Sequence, residues 1–505
     1  MTAQSAEITY PKLLAPKGDR EMLIWPDGRQ LLRDTWTNHR ALREDAPGRI
    51  AGVPLTHLRR WMRRWLGHGD DARPIIATGH QTELYHPGVW MKNVIIDAAA
   101  QRIGAVAIHF SVDTDAPKHL LYRWPGGGYP ITDDPDLTRA RWSGRLACPS
   151  RQHVDELSRQ AKQAASRWGF VPACDDFFDT LANLAGHDVG LPEAITNAHH
   201  ATDRALSLRH QTLVSSHLTQ TTGYLLFVHD ICARAEQYVR VYNAALADFR
   251  HTHDIVSTGR PMPDLALDQA SCEVPFWLDD LVDGARQRAS LTRLDNKWAL
   301  LANDDQFVFD ANVTDAWTAA EQLGAWLARH KLRLSPRALT LTSFLRLAVV
   351  DQFVHGIGGA IYDQVTDRIL QIWHGIAPPK FSVGTITMYF PAAAGRQRTA
   401  LEPLAREGRR LRHQLLGDRK LQILREITAA PRQSSGRAML FSQMHREMAL
   451  AAAADPRMAA HEARLAEARN ASALDSQLFD REMPYTMQSH ERLTQVIDQV
   501  SVAFR

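Results

Sequence analysis

Residues 74–118 read PIIATGHQTELYHPGVWMKNVIIDAAAQRIGAVAIHFSVDTDAPK, and the fold is decided by this stretch. An apolar strand from Pro74 runs into a turn centred on Gly79 that carries His80 and His86. Pro87 then suits the first turn of a helix, Met91, Val94, Ile95 and Ala98 share one face of it, and Gly104 supplies its stop. The segment from Ala105 to Val112 is almost wholly apolar, as a strand buried on both faces should be. Strand, turn, helix, strand opens a doubly wound parallel α/β sheet, whose ligands bind at the carboxyl ends of the strands. Thr78, His80, Gln81, His86, Asp113 and Asp115 all fall at or just past those ends, so the segment is a candidate site as well as a fold signal.

Working outward, 505 residues are too many for one core and imply two or three domains. Residues 1–70 read as an irregular lead-in closed by a helix, H-L-R-R-W-M-R-R-W, with Leu58, Trp61, Met62 and Trp65 between Arg59, Arg60, Arg63 and Arg64. That spacing predicts a docked amphipathic helix with a basic outer face. Residues 71–395 hold the α/β core, interrupted by a helical insertion at about 140–210. G-Y-L-L-F-V-H-D (223–230) is expected to be a further strand, and a helix follows through Tyr242 to Phe249. F-V-H-G-I-G-G (353–359) reads as a strand entering a glycine turn, then a helix with Ile361, Val365, Ile369 and Ile372 along one side, then a last strand over 378–390. From 396 to 505 the chain reads as long helices broken near Asp455-Pro456, expected to pack as an antiparallel hairpin or coiled coil.

A net charge of +3 supplies no global field for nucleic acid, and no apolar run is long enough to cross a bilayer. The four cysteines, at 148, 174, 232 and 272, never pair as C-x-x-C, which excludes a thiolate zinc site or disulfide framework and fits a reducing cytoplasm. The first residues, M-T-A-Q-S-A-E-I, have no basic region followed by an apolar one, so a cytoplasmic protein is expected.

Three elements carry chemistry. In the first turn, backbone N–H groups at a helix N-terminus favour an anion, and His80 and His86 could stabilise charge on a transferring phosphoryl or adenylyl group. The structural alternative has His80 capping the turn and His86 packing beside Trp90. In V-D-T-D, strand alternation puts Asp113 and Asp115 on one face, to hold Mg²⁺, a substrate ammonium or a proton. The alternative there is an N-cap or Asx-turn before Pro117. In H-G-I-G-G-A-I-Y-D (355–363), Gly356, Gly358 and Gly359 let backbone approach a ligand closely, in a pattern that is neither a Walker A loop nor G-x-G-x-x-G. His251, His253 and Asp254, the pairs His199-His200 and His229-Asp230, and Glu273 are weaker candidates for which structural roles compete.

The three elements, in this order and before a helical C-terminal arm, resemble the bacillithiol biosynthesis cysteine-adding enzyme family. That family's T-G-Q-Q corresponds to Thr78-Gly79-His80-Gln81, its G-P turn and helical lysine to Pro87-Gly88 and Lys92, and its E-D-H-D to Asp113-Thr114-Asp115. Its I-G-G-P-G-E-I-A-Y corresponds to Gly356-Ile357-Gly358-Gly359-Ala360-Ile361-Tyr362, and its M-P-P segment to Ala377-Pro378-Pro379. His80, the H-P-G turn and D-T-D-A-P-K depart from the family and imply a changed substrate. The resemblance implies a Rossmann-like, nucleotidyltransferase-type core with helical insertions and a C-terminal coiled coil that supports a homodimer. It also implies a ligase-like reaction joining an amino acid, possibly cysteine, to an amine of a small molecule.

Amide formation from a free carboxylate is uphill, which makes ATP or another nucleotide the natural activator, with Mg²⁺. In that reading His80, His86, Asp113 and Asp115 are catalytic, and Thr78, Gly79, Gln81 and Lys92 line the nucleotide. Gly356, Gly358, Gly359, Tyr362 and Asp363 form the opposite wall. The alternatives are a non-catalytic nucleotide-binding dimer that recruits a partner through its C-terminal helices, and a nucleotidyltransferase for another small molecule.

Overall fold

Six strands make the central sheet of the computed structural model, which describes residues 11–43, 48–69, 72–257, 259 and 262–505. They are β1 (Glu21–Trp25), β2 (Ile75–Gln81), β3 (Val106–Val112), β4 (Gln211–Val214), β5 (Gln352–His355) and β6 (Ser382–Thr387). Their spatial order is β1-β6-β5-β2-β3-β4, and every pairing is parallel except β1 with β6. The sheet is therefore mixed rather than wholly parallel, and residues expected to be an irregular lead-in supply its antiparallel edge. Two helices make the decisive crossovers: α1 (Pro87–Ile103) joins β2 to β3, and α2 (Ile357–Trp373) joins β5 to β6.

Side-chain alternation sorts the sheet into two faces. Ile76, Ala107, Val354 and Ile386 pack with Val94, Ile95 and Ala99 of α1 and with Leu493, Val496 and Val500 of the last helix. Ile75, Ala77, Val106, Ile108 and Phe353 pack on the other side with Val365, Ile369 and Leu370 of α2. Each fully buried aliphatic side chain contributes about 1.5–3 kcal/mol relative to exposure. The fit on the α1 face is close enough that a Cβ on Gly384 of β6 would collide with Ile95 Cδ1. The crossovers leave β2 and β5 in opposite directions, so the strand order reverses between those two neighbours, and their carboxyl ends face a shared crevice.

The helix α1 forms as its sequence signals predict. Pro87 occupies its first turn, the His86 side chain accepts from Gly88 N, and Gly104 ends it at φ 67°. The helical insertion also appears, as Arg151–Ser166, Asp175–Leu184 and Leu191–Ala205. The expected strand at 223–230 does not: Thr221 caps a helix over Thr222–Ala233 that is buried almost throughout. A helix apolar on all sides has no amphipathic period, which makes it indistinguishable from a buried strand by pattern. A second, antiparallel sheet runs Asp305–Phe309, Lys297–Ala302, Arg286–Leu294, Ser271–Asp280 and Leu332–Pro336 in spatial order.

The chain divides into two compact units, residues 1–388 with 481–505, and residues 389–480. The second contains four helices, Leu401–Gln414, Gly417–Ala429, Ser435–Ala454 and Pro456–Leu478, and Ile423 and Ile427 of the second pack with Met444 and Met448 of the third. The break foreseen at Asp455-Pro456 is a helix start, with Asp455 Oδ1 accepting from Arg457 N at 2.8 Å. The sequence reading divides the chain between 395 and 396, and the compact units divide between 388 and 389. The chain then rejoins the sheet unit at Arg481, so the last 25 residues are not a continuation of the helical region.

The helix with the H-L-R-R-W-M-R-R-W motif spans Leu55–Trp65 and corrects the expectation of a wholly basic outer face. Arg60 and Arg64 are exposed, but Arg59 and Arg63 turn inward to Asp351, itself 1% exposed. Asp351 accepts from Arg59 Nη2 at 2.5 Å, from Arg63 Nη1 at 3.4 Å and from the Ile75 amide at 2.7 Å, with His39 Nδ1 3.1 Å away. Burial pushes its acidity down, and Arg59 and His39 outweigh this, holding its pKa below the ordinary carboxylate value. Its stabilisation is thus complete above the unfolded pKa and is lost as pH falls through the lowered folded value. Asp351→Asn strands two buried guanidinium groups and is expected to cost about 3–5 kcal/mol in urea denaturation, whereas Arg60→Ala should stay within about 0.5 kcal/mol.

Candidate functional site

The crevice at the carboxyl ends of β2, β3 and β5 is a cleft of about 760 Å³. One wall is Gly79, His80 and Gln81 from the end of β2 with His86, Gly88 and Lys92 from α1. The other is His355, Gly356, Gly358 and Gly359 at the start of α2, and Arg481 and Thr385 complete the rim. Leu341, Leu345, Phe353 and Phe110 give it an apolar floor. The structure thus brings together the first and third sequence elements, which lie about 275 residues apart, along neighbouring strands paired at Thr78 and Val354.

On the first wall, His80 Nδ1 lies 3.0 Å from Glu83 Oε1 and 3.3 Å from the Gln81 carbonyl. Both partners are acceptors, so Nδ1 carries the proton and Nε2 keeps the lone pair, the tautomer of a carboxylate-backed base. Burial lowers the His80 pKa, Lys92 lowers it further, and Glu83 partly offsets both. His86 has the complementary tautomer, because its Nδ1 accepts from Gly88 N at 3.0 Å and its proton must sit on Nε2. Burial, with His80, Arg481 and Lys92 nearby, pushes its pKa down to about 3, so it stays a neutral donor.

Lys92 is 3% exposed, and its Nζ donates to the Gly79 carbonyl at 2.8 Å. Burial lowers its pKa to about 7, with Glu83 pulling the other way. A cation, a neutral base and a neutral donor therefore converge on one side of the cleft.

The opposite wall is backbone. The glycines at 356, 358 and 359 have no left-handed φ, so their role is space rather than conformation. A Cβ on Gly356 or Gly358 would meet nothing within 4 Å, while one on Gly359 would stand 3.1 Å from His355 Nδ1. Three small residues at the first turn leave the amides of α2 open at its positive end. His355 donates from Nε2 to Asp363 Oδ2 at 2.9 Å, and Asp363 is fixed by Arg346 Nη1 at 2.5 Å. Burial works against the Asp363 charge, but Arg346 and His355 overcome it and hold its pKa well below the usual carboxylate range.

Several predicted residues take structural places instead. Thr78 is fully buried and donates to the Val354 carbonyl at 2.7 Å, clamping β2 to β5. Asp113 accepts from Ser215 Oγ at 3.0 Å and Ser216 N at 2.8 Å. Its carboxylate serves the short helix Ser215–Thr219 after β4, while Asp115 lines the cleft and accepts from Gln81 Nε2 at 2.6 Å. The two aspartates do not share a face because β3 ends at Val112, and the alternation that would align them ends there too. Asp363 lies behind the cleft, and Tyr362 is 44% exposed away from it. Glu273 anchors Arg337 at 2.5 Å, and Asp230 pairs with Arg234 and Trp373 Nε1. His199 stacks on Tyr85 at 4.2 Å, inside the core.

The sequence reading did not single out Glu83, His355 or Arg481. The i, i+3 spacing of His80 and Glu83, and the strand-end position of His355, are signals that could have found two of them. Nothing local marks Arg481. As to a metal, no group of three His, Cys, Asp or Glu side chains among the described residues could hold one. Asp115 alone could add a ligand to a Mg²⁺ carried in on phosphate oxygens.

No known protein family matches this chain. No curated protein matches it either.

The depressed pKa of Lys92 has a stability consequence. Between pH 7 and the ordinary lysine value the unfolded chain binds more protons, so stability rises with pH through that window. Lys92→Met is expected to stabilise the fold by a few kcal/mol at pH 6, with the gain shrinking toward pH 10. Thermal denaturation across pH checks this, and a gain independent of pH would contradict it.

Proposed function

We propose that the protein is a ligase-like enzyme that activates a carboxylate with a nucleotide and joins it to an amine. The observation that carries the reading is the convergence of Lys92, the His80–Glu83 pair and the glycine-lined start of α2 on one cleft. Strand order reversing between β2 and β5 supports a Rossmann-like, nucleotidyltransferase-type core, and the four helices over 389–480 support the reading of a helical arm through which two copies pair. In the reaction, Lys92, Arg481 and the α2 amides hold phosphate oxygens. Asp115 would be the residue to hold a Mg²⁺ carried in with the nucleotide, which would supply charge neutralisation on those oxygens.

Gln81, whose amide donates to Asp115, receives the ammonium of an amino acid or the incoming amine through its side-chain carbonyl. His80 Nε2 takes the amine proton as the nitrogen attacks the activated carbonyl. The new C–N bond forms while the phosphate ester leaves with the electron pair. His86 Nε2–H donates to the oxyanion or the leaving oxygen.

The test is nucleotide cleavage by the purified protein, assayed with amino acids and amine acceptors. Cleavage is expected to depend on both substrates and to yield an amide. His80→Ala should cut that turnover by about 10²–10⁴-fold. Gly358→Glu, placed in open space, should leave the melting temperature unchanged and weaken ATP binding by about 10-fold or more, because it sets a carboxylate at the positive end of α2. Unchanged ATP affinity in Gly358→Glu, or no amide with any pairing, would overturn the reading.

A further inference from the structure

We propose that Lys92 is a nucleophile that carries the nucleotidyl group covalently between the nucleoside triphosphate and the carboxylate. This rests on the nucleotide-dependent reading above and gives its activation step a route.

Five observations converge on Lys92. It lines the cleft and is 3% exposed, far from the solvated position of a lysine that serves as a surface charge. Its one hydrogen bond among the described residues is to the Gly79 carbonyl, which occupies a single N–H and leaves the nitrogen's fourth direction for a lone pair once the amine is neutral. A base lines the same cleft, since His80 has its proton on Nδ1 toward Glu83 and its lone pair on Nε2. Glu83 Oε2 is buried and has no hydrogen-bond partner among the described residues, and it is the atom of this kind that belongs to His80's own carboxylate partner. A carboxylate left with a free oxygen beside a buried lysine and histidine is arranged for protons to move, not for a fixed ion pair. Burial also brings the amine's pKa near neutrality, where a neutral nucleophile is populated.

The step balances as follows. Neutral Nζ attacks the α-phosphorus; the Nζ–P bond forms as the bond from that phosphorus to the bridging oxygen breaks. Pyrophosphate departs with the electron pair, and the Nζ proton passes to His80 Nε2. A carboxylate oxygen then attacks the same phosphorus. The Nζ–P bond breaks, its electron pair returns to Nζ, and His80 gives back the proton. The product is an acyl nucleotide, ready for the amine.

The experiment incubates the full chain with Mg-ATP and no carboxylate acceptor, quenches in alkali, and measures intact mass followed by peptide mapping. ATP affinity is measured in parallel by calorimetry. The expected result is one adenylyl group on the peptide containing Lys92, stable to alkali and released by acid as a phosphorus–nitrogen bond should be. Lys92→Arg keeps the positive charge and should bind ATP without forming the adduct, and His80→Gln should slow adduct formation by about 100-fold. Tight ATP binding with no adduct, or an adduct on another residue, overturns this proposal and leaves the ligase reading standing. Failure to bind ATP at all removes both.

Discussion

Asp351 is the constraint on which the rest depends. It is a fully buried carboxylate that must be charged, and its partners come from several elements: His39 from the helix Gly28–Arg43, Arg59 and Arg63 from the helix Leu55–Trp65, and the first amide of β2. Its own backbone amide donates to the Ile75 carbonyl, so it also sets the register between β2 and β5. A hydrophobic contact could hold these pieces near each other but would tolerate a slip. A buried charge tolerates none, because a displaced guanidinium loses far more than a displaced methyl. The two strands whose carboxyl ends form the cleft are therefore aligned from their far ends.

Alignment at one end of the sheet fixes the walls of the cleft at the other. Thr78 ties β2 to β5 a second time, three residues beyond Ile75, and the strands then diverge into helices on opposite faces. His80 approaches from the α1 side and His355 from the α2 side, each backed by its own carboxylate. The aliphatic layers on both faces exclude water from the floor. Exclusion of water depresses the basicity of Lys92, and the same desolvation makes any charge placed in the cleft interact strongly with the groups around it.

The first α/β unit was legible because both of its signals are local. Pro87 and Gly104 punctuate α1, and the apolar run at 105–112 is long enough to read as a strand. The cleft's location was legible too, since strand-end residues and a glycine turn both pointed to carboxyl ends. Which strand-end residues face the cleft was not. Thr78 and Asp113 sit among the correct neighbours, yet one side chain clamps a strand and the other caps a helix, and that choice depends on Ser215 and Val354, remote in sequence. The helix at 222–233 was misread for the opposite reason: burial on every side erased its period. Arg59 and Arg63 were misjudged because an Arg-rich face looks solvated until the buried acid that needs it is known.

The cleft's rim includes Arg481, which follows β6 only after the whole of residues 389–480 has been inserted. During synthesis the six strands can pair, and both histidine-bearing walls can assemble, with that arginine still unmade. The nascent chain thus passes through a stage in which the sheet is complete and the site is not. The helix His490–Ala503, whose Leu493, Val496 and Val500 cover α1, arrives at the same late moment. Closing the apolar face and completing the rim are therefore one event, tied to residues 481–505, which are made only after the helical unit. A chain cut short within the helical unit would carry a recognisable sheet, an uncovered helix and an unfinished cleft, a combination that chaperones and proteases can distinguish from the finished protein by its exposed apolar surface.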